Sequence, residues 1–150
     1  MKKSTIAKFI SIILKITFIL GIVSLFFIPK FYNIFPELKE IKFEDQTVFY
    51  QVAFYICAIG SLGIISELIK IFDTIYKGSP FKKQIEINLK VIAVLFMLLS
   101  LIITVKTIFM PTLLSAVVSF ITFMVSLCFY VLSQIFKSAI EYKNEIDLTV

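Results

Sequence analysis

Two charged residues, Lys15 and Glu67, lie inside or at the edge of long apolar segments of the sequence. An unpaired charge inside the edge of a bilayer is costly, so such residues tend to find a partner or to reach the membrane surface. Both residues lie near the same end of neighbouring segments, which places them at similar depth. The sequence therefore indicates two alternatives, an ion pair between Lys15 and Glu67 or two side chains that extend independently toward water.

The other reactive groups are poorly arranged for catalysis. The chain contains no histidine, which removes the commonest general base and the commonest metal ligand. Its two cysteines, Cys57 and Cys128, fall in the middle of apolar runs, where a thiol behaves as a small apolar side chain. Metal sites need clustered ligands, and the acidic residues occur only in loops, tails and the ends of apolar segments. We therefore expect a protein that is not an enzyme and that holds no cofactor or metal.

Small and hydroxyl side chains recur along the last two apolar segments at intervals of four and three residues, which places them on one face of each helix. The third segment carries Ala93, Ser100, Thr104 and Thr107, with Met97 in the same register, and the fourth carries Ser115, Ser119, Thr122 and Ser126, which Ser133 continues seven residues later. Such a stripe is typical of the packing face of a membrane helix. A polar conduit is the alternative, although no charged residue lies near the middle of the stripe.

The composition indicates the environment of these residues. Of the 150 residues, 59% are hydrophobic and 17% are charged, whereas soluble domains are about 45–50% apolar and about 25% charged. This is the composition of an integral membrane protein that contacts the lipid bilayer. The net charge of +5 comes from a chain without arginine, in which the lysines lie mainly at the ends of apolar runs. Direct binding of nucleic acid is therefore not expected.

The apolar runs predict an all-α, polytopic membrane protein, a bundle of four transmembrane helices that forms a single membrane domain. The predicted spans are residues 10–28, 48–69, 89–109 and 113–136, with an outer loop at 29–47, an inner loop at 70–88 and an inner tail at 137–150. Pro29 and Pro36 are expected to end helices in the outer loop. The second helix is expected to project past the membrane to Gly78, and the tail to begin as the last turns of the fourth helix.

The lysines also predict the orientation of the chain, because loops rich in lysine and arginine remain in the cytoplasm. With a cytoplasmic N-terminus, ten lysines lie inside and four lie outside, with Lys15 set aside. Four spans then place both termini in the cytoplasm.

The inner loop carries the strongest local pattern of the chain. Gly78-Ser79-Pro80-Phe81 combines a helix stop, a cap, a helix start and an apolar anchor, and several lysines follow it. Two interpretations are open for this basic hairpin. Either the hairpin rests on anionic lipid, which attracts lysines near the membrane surface, or it binds a cytoplasmic protein.

The loop motif, the following Asn88-Leu89-Lys90 and the ending Glu145-Ile146-Asp147-Leu148-Thr149-Val150 together resemble the bacterial family described as domain of unknown function two-nine-seven-five. The resemblance covers nearly the whole chain, since members of this family share its length, its four spans, the loop and the acidic tail. It implies a protein of the bacterial plasma membrane. It also implies a small helix-turn-helix regulator as a partner, because such regulators are often encoded beside members of the family. It implies no catalytic residue.

The sequence therefore favours a non-enzymatic integral membrane protein, a membrane-anchored sensor or regulator whose inner loop and tail bind a cytoplasmic partner. Candidate partner-binding residues are Ser79, Pro80, Phe81, Lys82 and Lys83 in the loop, and Asp147, Leu148, Thr149 and Val150 in the tail. A terminal carboxylate beside an apolar side chain is a recognisable handle for a binding groove. The alternative function is a small-solute transporter or channel subunit that lines its path with the hydroxyl stripes after oligomerisation.

Overall fold

The described part of the chain consists of four long α-helices and the short connections beside them. A computed structural model describes residues 5–34, 47–78, 82–109 and 111–149. The helices are α1 (Thr5–Ile34), α2 (Thr47–Tyr76), α3 (Lys83–Phe109) and α4 (Leu113–Thr149). Each helix contains a stretch long and apolar enough to cross a membrane, for which about 20 residues suffice. The predicted all-α, four-span fold class is confirmed.

The helix ends follow local sequence signals. α2 ends where Gly78 adopts a φ of 78°, a conformation that residues with a Cβ rarely adopt, and the Gly78 amide donates to the Ile75 carbonyl at 3.0 Å. The predicted helix stop at Gly78 is therefore confirmed. Thr112 caps the start of α4, because its Oγ1 accepts the Ser115 amide at 3.3 Å.

The loop boundaries differ from those predicted. α1 continues through Pro29 to Ile34, although Pro29 was expected to end it. Proline removes one backbone donor, and a membrane helix tolerates this loss when neighbouring groups satisfy the freed carbonyl. At the other end of the chain, α4 runs to Thr149, so the predicted tail is helical. Pro36 lies outside the described residues.

The helices pack in chain order, α1 on α2, α2 on α3 and α3 on α4, and α3 with α4 is the most extensive pair. Among the described residues, the backbones of α1 and α4 do not approach each other. The bundle is therefore open between its first and last helices. Its apolar core lies between α2 and α3, with two phenylalanines of α4 packed against it. The core consists of Ile64, Ile71, Ile85, Leu89, Ile92 and Leu99, and the phenylalanines are Phe129 and Phe136.

Small residues allow the middle helices to approach closely. A Cβ placed on Gly60 would lie 2.8 Å from Cδ2 of Leu99, closer than real Cβ contacts come. Cys57, one turn before Gly60, packs against the core. The face of α2 that carries Cys57 and Gly60 is therefore the face that contacts α3.

Hydroxyl groups join α3 to α4 along the predicted stripe. Ser126 Oγ donates to the Ala93 carbonyl at 2.8 Å, and Ser100 Oγ donates to the Ser119 carbonyl at 3.1 Å. Thr104 Oγ1 and Ser119 Oγ share a further hydrogen bond of 2.5 Å. Ser100, Ser119 and Ser126 are buried. The stripe is the packing face of this helix pair, as its spacing predicts.

We predict that Ser126→Leu lowers the free energy of unfolding by about 1–3 kcal/mol, because it removes the bond to Ala93 and overfills the helix contact. Titration of the detergent-solubilised protein with dodecyl sulfate, followed by circular dichroism, measures this change. Cys128→Leu is the matched control, since Cys128 is a small exposed residue of the same helix. Equal effects of the two substitutions would show that the Ser126 contact contributes nothing specific.

Candidate functional site at the lysine-rich end

One end of the bundle carries most of the charge. We call it the lysine-rich end, the end at which α1 and α3 begin and α2 and α4 end. The parts of α1, α2 and α3 at this end, residues 5–20 and 66–92, carry seven lysines and three carboxylates. The surface is therefore positive, and the positions of the three carboxylates decide which lysines remain available.

The first cluster joins α1 to α2. Lys15 Nζ donates to both carboxylate oxygens of Asp73, at 3.0 and 2.9 Å, and Ser11 Oγ donates to Oδ1 of Asp73 at 2.5 Å. Ser11 is buried against α2. One turn earlier, Lys8 Nζ lies 5.8 Å from the centre of the Tyr76 ring, within the range of a cation–π contact. We call Ser11, Lys15 and Asp73 the Asp73 cluster. Its hydrogen bonds and ion pair hold α1 against α2 at this end.

The predicted pair of Lys15 with Glu67 is replaced by two other pairs. Lys15 binds Asp73, and Glu67 accepts a hydrogen bond from Lys70 on its own helix at 2.5 Å. Asp73 lies six residues beyond Glu67, about 9 Å nearer the end of the helix. The long lysine stem therefore carries the ammonium outward to Asp73, which keeps both charges closer to water. The sequence contained one signal for this site, since Ser11 and Lys15 are four residues apart and face the same side of α1.

The two segments predicted to bind a partner lie apart. Lys82 and Lys83 are exposed at the start of α3, and Leu148 is exposed near the end of α4. Ser79, Pro80, Phe81 and Val150 lie outside the described residues, as do the side chains of Asp147 and Thr149. Ser126 lies beside Ala93, and Ser119 lies beside Ser100. Because the two helices are antiparallel, counting along both from these pairs places the start of α3, residue 83, beside residue 136 of α4. Leu148 is then about 16–18 Å further along the α4 axis than the loop lysines.

The last part of α4 therefore projects beyond the rest of the described bundle. We call residues 137–149 the α4 extension, and at 1.5 Å per residue it is about 20 Å long. Three large apolar side chains on it are exposed, Tyr142, Ile146 and Leu148. Tyr142 and Ile146 are four residues apart and lie on one face of the helix. Glu141 and Glu145 flank that face.

A buried polar residue near this end was not anticipated from the sequence. Asn88 is only 2% exposed and accepts a hydrogen bond from Gln84 Nε2 at 2.8 Å. Its Nδ2 donates to no group of the described residues. An asparagine in a charged segment is ordinarily exposed, and only the apolar Ile85 and Ile92, three positions before it and four after it, indicate that this one faces the core.

Two grooves lie toward the opposite end. One lies between α3 and α4 beside Ser100, Thr104, Ser119 and Phe120 and has a volume of about 430 Å³. The other lies between α1 and α2 beside Thr17, Gly21 and Ser61 and is of similar size. Both are lined mainly by apolar side chains. In the described residues no group of three or more cysteines, aspartates or glutamates could hold a metal ion.

Comparison with known proteins identifies the family. The family model described as "Protein of unknown function (DUF2975)" matches residues 10–150. The chain belongs to this family. The match spans all four helices and confirms the resemblance found in the loop and the tail. No curated protein and no solved structure matches the chain.

The DUF2975 description names no activity, so the function of this chain has to be argued from its surfaces. The lysine-rich end is the part where charged, aromatic and apolar side chains are exposed together. It is therefore the candidate functional site of this DUF2975 protein.

We predict that exchanging the charges of Lys15 and Asp73 preserves the attachment of α1, because the pair can form in either direction. Lys15→Glu or Asp73→Lys alone should each destabilise the protein, and the double exchange should recover about 0.5–1 kcal/mol relative to the sum of the two effects. Unfolding in dodecyl sulfate measures all three. Lys15→Glu combined with Glu67→Lys is the control and should show no recovery. Recovery in the control alone would contradict the assigned pairing.

Proposed function

We propose that this DUF2975 protein is a membrane-anchored regulator that binds a cytoplasmic protein through the α4 extension. The main observation that supports this proposal is that the helix projects past the bundle and exposes Tyr142, Ile146 and Leu148. A helix of about 13 residues is marginally stable in water unless it packs against something. Apolar side chains at four-residue spacing are the anchors by which a helix binds a groove. The extension therefore has the form of a docking helix.

The distribution of lysines supports a cytoplasmic location for this helix. The lysine-rich end collects the charges that keep a loop on the inner side of a membrane, and the α4 extension leaves the bundle at the same end. In this proposal the protein resides in a bacterial plasma membrane, both termini face the cytoplasm, and the exposed Lys82 and Lys83 lie at the same end of the bundle as the docking helix.

The proposed partner is a small helix-turn-helix regulator, the class of protein that the family resemblance implies. Chemistry supports a basic partner surface, because the α4 extension carries three carboxylates, those of Glu141, Glu145 and Asp147, against two lysines. DNA-binding proteins present basic surfaces. A regulator held by this surface would be kept at the membrane and away from DNA. The role needs no catalytic residue in the membrane protein.

We predict that a photo-reactive side chain at Tyr142 crosslinks one soluble cytoplasmic protein in living cells, identified by mass spectrometry of purified membranes. Ile146→Glu should reduce this crosslink by about tenfold or more, because truncating or charging an apolar anchor at an interface typically weakens binding by about 2 kcal/mol. The abundance of the membrane protein should not change, because Ile146 is 63% exposed.

Asn144→Glu is the matched control for this experiment. It adds the same charge to the same helix, but residue 144 lies about 200° from Tyr142 around the helix axis. The control should leave the crosslink intact. Crosslinks to lipid alone, or equal losses in both variants, would contradict the docking proposal.

A further inference from the structure

One face of α3 is exposed along its whole length and changes from charged to apolar. We call this face the α3 outer stripe. Its members recur at intervals of three and four residues and are Lys83, Ile87, Lys90, Val94, Leu98, Leu101, Val105 and Ile108. The opposite face of the helix carries the buried core residues. The outer stripe therefore faces away from the bundle and, within the membrane, toward lipid.

The length of the apolar part fixes the depth of the two lysines. From Val91 to Ile108 the helix rises about 26 Å, close to the about 30 Å thickness of the hydrocarbon core. Lys90 is thus at the boundary between hydrocarbon and headgroups. Lys83 follows two turns, about 10 Å, further out on the same face. Both ammonium groups can reach the level of lipid phosphates, since lysine stems lie along apolar surface while their charge stays in water.

Lys83 and Lys90 differ from Lys15 and Lys70, the two lysines of this end that form ion pairs within the described residues. Lys15 and Lys70 are bound to Asp73 and Glu67, whereas Lys83 and Lys90 form no ion pair with any described residue. Glu86 lies between them in sequence and makes no ion pair with either. Two ammonium groups without a protein anion therefore lie at phosphate depth, directly below an apolar face.

We propose that Lys83 and Lys90 bind the phosphate of an anionic phospholipid whose acyl chain lies along Val94 and Leu98. Charge complementarity selects the headgroup, and the apolar continuation of the stripe selects a lipid over a soluble acidic protein. The inference goes beyond the proposed function. It assigns these two lysines to the bilayer and leaves the α4 extension to the cytoplasmic partner.

The chain contains no tryptophan, so a single introduced tryptophan can report which lipid occupies this site. Val94→Trp places the reporter one turn inside Lys90 on the outer stripe, where the side chain is 52% exposed. The purified full-length protein is reconstituted in vesicles of phosphatidylcholine and phosphatidylglycerol, one or the other carrying brominated acyl chains. Quenching of the tryptophan gives the relative affinity for the two lipids. A second reporter, Val105→Trp, lies about 17 Å away near the other end of the stripe.

We predict a preference for phosphatidylglycerol of about tenfold or more at Val94→Trp and none at Val105→Trp. Two lysines near an anionic headgroup favour it by about fivefold each. The preference should disappear in the double variant Lys83→Gln/Lys90→Gln. It should persist in Lys83→Arg/Lys90→Arg, which keeps both charges and serves as the folding control. Lys137→Gln/Lys143→Gln removes the same charge elsewhere at this end and should change nothing.

Equal quenching by both lipids at Val94→Trp would overturn the proposal. So would an equal loss of preference in the Lys137→Gln/Lys143→Gln control, because the attraction would then be diffuse and not a site on α3. The vesicles contain no other protein, so this result is independent of whether the α4 extension binds a partner.

Discussion

The structure depends on one constraint, the absence of a hydrogen-bonding solvent in the hydrocarbon core. Every backbone group that lies there must be satisfied within its own segment, which makes the spans helical. The same constraint removes the hydrophobic effect as a force between helices, because lipid is as apolar as leucine. Helices then associate through close contact and through the few hydrogen bonds available. The most extensive pair, α3 with α4, is also the pair that places serine hydroxyls against the carbonyls of the facing helix.

The constraint relaxes at the lysine-rich end, where some lysines are paired with carboxylates and others are not. Lys15 is paired with Asp73 of α2, which positions α1, and Lys70 is paired with Glu67 within α2. Lys83 and Lys90 stand on the outer face of α3 without such partners among the described residues. A paired lysine contributes little to the field that an approaching ligand meets, whereas an unpaired one at phosphate depth contributes nearly its whole charge. The pairing pattern therefore separates structural lysines from available ones more sharply than the sequence can.

The fold was largely predictable because its signals are periodic or local. Apolar runs of membrane length predicted four helices, the intervals of three and four predicted the α3–α4 contact, and Gly78 predicted the end of α2. The errors arose where the outcome depends on geometry between segments. The extent of α1 beyond Pro29 depends on whether surrounding groups satisfy the freed carbonyl. The partner of Lys15 depends on how far its side chain reaches, and the burial of Asn88 depends on which face of α3 meets the core. Of the candidate site, the lysines and the acidic tail were visible in the sequence, but their separation was not.

The open side of the bundle bears on where function can lie. Among the described residues α1 packs on α2 and on no other helix, through the Asp73 cluster at one end and the close approach of Gly21 to Leu62 nearer the middle. The hydroxyls that a solute path would use are occupied in the α3–α4 contact, and both grooves lie between helices on the half of the bundle away from the charges. Exposed charged side chains lie on the outer stripe of α3 and on the α4 extension. Both surfaces begin at the level where α3 starts. From there the outer stripe of α3 runs along the apolar part of the bundle, and the α4 extension runs in the opposite direction. In our two proposals the first surface binds an anionic lipid and the second binds a soluble partner, so the two roles do not compete for the same residues.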